Sequence, residues 1–70
     1  MATGDAGNRK SIAEYQREVA ENPESARARV KLGTAWLRAG ANTKAEQELR
    51  KAVELDPEYD EAWVNLGGVL

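Results

Sequence analysis

The chain has 70 residues, enough for one small domain, with 41% apolar residues, 31% charged residues, no histidine and no cysteine. A single core of that size seldom contributes more than about 3–5 kcal/mol, and the missing residue types exclude disulfides, zinc ligand sets and the usual nucleophile–base pairs. The net charge of −2 argues against nucleic acid as a main partner, and it is unevenly spread: residues 1–39 carry seven Lys/Arg against five acids, residues 40–70 three against seven.

Residues 1–8, with Gly4, Asp5, Gly7 and Asn8, show no periodic apolar pattern and read as a disordered N-terminal tail. No apolar stretch follows Arg9 and Lys10 as a signal peptide would require, and no later run is long enough to span a bilayer, so the reading is a cytoplasmic protein with no membrane partner. From residue 9 every segment reads as helix. Ile12, Tyr15 and Val19 form one stripe at spacings of three and four, and Ser11 with Glu14 fits a capping box, which predicts a first helix over about 9–21.

Asn22-Pro23 breaks that helix, because proline disfavours helical geometry in the residue before it and suits the first turn of the next. A second helix is predicted over 24–39. Ala26, Val30, Gly33 and Leu37 make one row on it and Leu32, Ala35, Trp36 and Ala39 another, so it is apolar over a wide arc and should be sandwiched. Gly40 stands where a left-handed C-cap is wanted, and Thr43 with Glu46 predicts a second capping box opening a third helix to about Leu55. Ala45, Leu49, Ala52 and Val53 form its apolar face, and Glu46 and Arg50 are spaced as an i,i+4 ion pair.

Asp56-Pro57 repeats the stop and restart of Asn22-Pro23, and a fourth helix is predicted from Glu58 to Leu70, with Tyr59, Ala62, Trp63, Leu66, Val69 and Leu70 apolar. It carries no C-cap and no helix follows it, so it is expected to need a packing partner. The strongest signal spans the elements. At a spacing of 34 residues Pro23 recurs as Pro57, Val30 as Val64, and Leu32-Gly33 as Leu66-Gly67.

This period, with the Leu32-Gly33 pair, Trp36 three residues on, and then Ala45, Leu49, Ala52 and Leu55-Asp56-Pro57, resembles the tetratricopeptide repeat. The resemblance covers residues 9–70 and implies an all-α solenoid of about four antiparallel helices, with one full repeat over about 26–59 between two half repeats. Four helices sharing one central core are the structural alternative. The sequence also departs from the family pattern: Arg29 stands where Trp63 stands one unit later, Glu18 where Ala52 stands, Asn42 replaces a common aromatic and Glu46 an aliphatic residue. Looser packing is expected around 29, 42 and 46.

The resemblance implies a non-enzymatic module for protein–protein interaction or scaffolding, with a protein or peptide as partner and no cofactor. The concave surface that the family lines with its first helices falls on Arg27, Lys31, Thr34 and Arg38 and on Val64 and Asn65. In relatives that hold a peptide C-terminal carboxylate, a lysine and an asparagine on one first helix act with an asparagine on the next. Val30 and Thr34 occupy the first two places here, and only Asn65 matches. The functional alternatives are a truncated array piece with no activity of its own or a fragment that self-assembles through its open ends; a homo-oligomer is expected, head to tail through Trp63, Leu66 and Leu70 on one copy and Ile12, Tyr15 and Val19 on the next, with a symmetric pair joined through Trp63, Leu66 and Leu70 as the rival arrangement. Trp36 and Trp63 read as core aromatics rather than a base-stacking platform.

Overall fold

The computed structural model describes residues 11–70; the expected tail over residues 1–8 lies outside them. Four helices follow one another: α1 (Ile12–Glu21), α2 (Ala26–Arg38), α3 (Asn42–Leu55) and α4 (Asp60–Val69). No strand occurs among the described residues. Each short connector turns the chain back on itself, so sequential neighbours pack as helical hairpins. The contacts run α1 to α2, α2 to α3 and α3 to α4, with α2 also touching α4.

The helix ends show which local signals acted. Ser11 caps α1, its hydroxyl accepting the Glu14 N–H at 3.2 Å while the Glu14 carboxylate accepts the Ser11 N–H at 2.8 Å, as the capping box requires. At the start of α2 the predicted boundary moves by two residues. Pro23 and Glu24 lie in the turn, and Ser25 is the cap, accepting the Ala28 N–H at 3.1 Å. Gly40 has φ 81°, and the Gly40 and Ala41 amides reach back to the carbonyls of Leu37 and Trp36 at 3.0 and 2.9 Å. That pair of bonds is a Schellman closure, and only a residue without Cβ adopts its left-handed step at little cost.

The second capping box does not form. The helix starts at Asn42, one residue before Thr43, its N-cap is Ala41, and no side chain caps it. Glu46 instead takes the i,i+4 partner the sequence offered, accepting from Arg50 Nε at 2.8 Å. The fourth helix begins at Asp60 rather than Glu58, because the Asp56 carboxylate accepts the Glu58 N–H at 3.1 Å and holds 56–59 as a turn.

Two apolar clusters hold the stack together. Ala26, Val30, Leu49, Ala52, Val53, Ala62 and Leu66 join α2, α3 and α4, and Val19, Ala28 and Leu32 join α1 to α2 with Ile12, Tyr15 and Trp36 against them. Leu49, Ala45, Ala52 and Ala62 are completely buried. Gly33 is the reason α3 comes so close: a Cβ there would lie 2.8 Å from Leu49 Cγ and 3.4 Å from the Ala45 carbonyl. The cluster division is that of a stack in which each helix meets its neighbours, not of four helices around one centre.

The expected looseness at residue 29 is absent. The Arg29 guanidinium donates to Glu48 on α3 at 3.0 Å and to the Pro23 carbonyl at 3.3 Å, tying α2 both to its own entry turn and to the next helix. Trp63, the residue one repeat later, does half of this. Its indole N–H donates to the Pro57 carbonyl at 2.7 Å, while the ring stays 49% exposed. The reading of Trp63 as a core aromatic is therefore corrected, since no described helix covers that side of α4.

Candidate functional site

The exposed ridge of α2 is set by helical spacing. With Ala26 and Val30 in one cluster, Ala28 and Leu32 in the other, and Gly33 and Ala35 also buried, Arg27, Lys31 and Arg38 are left facing solvent on the opposite side. Thr34 is half-buried on the same ridge, and its Oγ1 accepts from Asn65 Nδ2 of α4 at 3.2 Å. Across the α2–α4 junction the structure joins Thr34 to Asn65, while Lys31 and Arg38 are exposed along the same side of α2. Val64 lies one residue before Asn65 and is 71% exposed.

Val30, in the place of the family's lysine, is 1% exposed inside the core and presents nothing to a ligand. The Asn65 amide, the one position that matches the carboxylate-holding relatives, donates a hydrogen bond to Thr34. Arg27 sits in a different setting. It shares an open cleft with Glu24, Ser25, Asp56 and Tyr59, where nearby carboxylates offset its charge.

Tyr59 reports the electrostatics of that cleft. Its hydroxyl donates to Glu61 Oε1 at 3.3 Å. Partial burial pushes the Tyr59 pKa above 10.0, the Glu61 charge and hydrogen bond push it the same way, Asp56 adds to this, and Arg27 opposes it. The acids therefore dominate around α4 while the cations dominate along α2, as the uneven charge of the sequence suggested.

Of the residues expected to mediate self-association, Ile12, Tyr15 and Val19 pack against Ala28, Leu32 and Trp36 of the same chain, and Leu66 is 4% exposed in the other cluster. Ile12 and Tyr15 are only partly buried in that packing. Trp63 and Leu70 stay exposed. One contact was not read from the sequence: Lys44 Nζ stands 4.6 Å from the Trp36 ring centre, covering an aromatic that would otherwise be open at the helix end. Its signal was the placement of Lys44 just after the Gly40 turn that folds α3 back over α2.

Among the described residues no cluster of His, Cys, Asp or Glu could hold a metal, and no helix is long and apolar enough to cross a membrane. What the fold presents is surface: a helical repeat whose second unit copies the first at 34 residues, with the exposed sides of its helices open to other chains. A family profile for the tetratricopeptide repeat matches residues 4–60, and the chain belongs to that family. Repeats of this kind are in general protein-interaction modules. No curated protein and no solved structure matches the chain.

Proposed function

We infer that the chain is a non-enzymatic binding module that takes an acidic peptide against the exposed ridge of α2. The observation that carries this reading is the alignment of Lys31 and Arg38 on one solvent-facing ridge beside the Thr34–Asn65 hydrogen bond, where two helices meet and a ligand can touch both. Solvent-exposed cations of this type act mainly on association rate and orientation, so each contributes about 1 kcal/mol or less and salt weakens the complex. The side-chain carboxylates of the peptide, rather than its terminus, supply the charge, because the clamp positions are occupied by Val30 and Thr34. Titration of the chain with acidic and basic peptide pools at low salt tests the reading. Acidic peptides should bind more tightly and lose that advantage in Lys31→Glu; equal or tighter binding of basic peptides rules it out.

A further inference from the structure

Two sets of exposed charges in the chain are left without counter-charges, and they are of opposite sign. Lys31 and Arg38 face solvent along α2, seven residues and so about 10 Å apart on the helix axis. Glu54, Asp56 and Glu58 face solvent at the end of α3 and in the turn after it, and no Lys or Arg lies between Lys51 and Glu61. Among the described residues none of these side chains is in an ion pair, whereas Arg29 pairs with Glu48 and Arg50 with Glu46.

The exposure of the turn belongs to the repeat. One unit earlier the places of Glu54, Asp56 and Glu58 hold Ala20, Asn22 and Glu24, which are exposed although α2 and α3 follow them. A helix packed after α4 would therefore leave the acids open. The concentration of charge is particular to the later unit, since of the earlier three only Glu24 is ionised. The Asp56 carboxylate also accepts the Glu58 N–H at 3.1 Å, which holds the turn in shape.

Within one copy the turn meets only the start of α2. Asp56 shares the open cleft with Arg27, and Lys31 and Arg38 lie about 6 and 16 Å farther along the axis. The turn cannot slide toward them, because Ala52, Val53 and Ala62 on either side of it are buried in the core. A turn from another molecule has no such tether. Residues 54–58 span at most about 14 Å, enough to set acids against both cations together. Resting on the reading of the α2 ridge as an acid-binding surface, we propose that its ligand is the Glu54–Glu58 turn of a second copy of this chain. Both surfaces are solvent-exposed, so the contact is salt-sensitive and weak, with dissociation at about millimolar concentration.

The test uses the whole chain and two double variants altered on exposed side chains: Lys31→Gln with Arg38→Gln, which neutralises the ridge, and Glu54→Gln with Glu58→Gln, which neutralises most of the turn. Both should keep the wild-type helical melt. In ¹H–¹⁵N spectra at low salt, concentrating the wild type from about 0.05 to 1 mM should move the amides of Lys31, Thr34 and Arg38 together with those of Glu54 to Glu58. Added salt should reduce the movement by about half or more, and each variant alone should show less than about a third of it. Adding the unlabelled ridge variant, which keeps the turn, should restore the ridge shifts in the labelled turn variant, which keeps the ridge. Wild-type spectra that do not change with concentration overturn the proposal, as do full movement in either variant alone and failure of the mixture to restore it. An acidic peptide of unrelated sequence separates the two levels: ridge shifts with that peptide but none on concentrating the wild type overturn the second copy and keep the acid-binding ridge, and silence in both removes both.

Discussion

Gly33 and Gly67 occupy one repeat position, and their surroundings differ completely. Gly33 admits Leu49 and the Ala45 carbonyl at van der Waals distance, while Gly67 faces open space. Gly33→Leu therefore forces α2 and α3 apart, an overpacking cost of about 1–3 kcal/mol or more, whereas Gly67→Ala removes only the helix penalty of glycine and should stabilise by up to about 1 kcal/mol. Urea midpoints of the two variants check the pair, and destabilisation by Gly67→Ala would mean that α4 is already covered in solution. Tyr59 gives a second residue-scale outcome. Its raised pKa means that the folded state favours the neutral phenol, so the contribution is fully present below pH 10.0 and is lost as pH rises from there through the folded value. With Tyr15→Phe leaving Tyr59 as the one phenol, ultraviolet titration of the folded chain should show a midpoint above that of the urea-unfolded chain; a midpoint at or below it contradicts the assignment.

Helix boundaries were legible where a side chain had one strong local option and displaced where it had two. Ser11 and Glu14 could satisfy each other and did, and Gly40 was the residue best able to take the left-handed step. Glu46 could have reached back to Thr43 or forward to Arg50, and the ion pair prevailed because α3 starts at Asn42, which leaves Thr43 inside the helix. Pro23 read as a first-turn residue, yet Ser25 is a better cap, and the Asn22–Ser25 turn bonded through the Ser25 N–H at 3.0 Å places it there. Ser25→Ala should lower stability by about 1 kcal/mol through the lost Ala28 N–H acceptor. Thermal melts of Ser25→Ala and Ser25→Asp decide it: the aspartate should retain most of the stability, and equal losses in both would show that the hydroxyl does not act as a cap.

Across the whole molecule the fold was readable because it is written twice. The recurrence of Val30, Leu32 and Gly33 at Val64, Leu66 and Gly67 gave the stacking unit without any long-range contact being known. The same recurrence misled at Trp63, since position in a repeat tells what a residue can pack against and not whether the partner helix is present. Arg29 misled in the opposite direction: a charge at an aromatic site suggested a gap, whereas its long side chain reaches Glu48 and Pro23 and closes it. The exposed cations of α2 were legible as a set on one helix face, but the Thr34–Asn65 bridge depends on how α2 and α4 meet and could not be read from either helix alone. Binding of an acidic peptide on the α2 ridge is the central functional claim, and a ¹H–¹⁵N chemical-shift map of the chain titrated with one at low salt tests it most directly. Shifts are expected to concentrate at Lys31, Thr34, Arg38 and Asn65 and to fade as salt is added; shifts that miss this ridge, or that persist unchanged in high salt, rule the acidic-peptide site out.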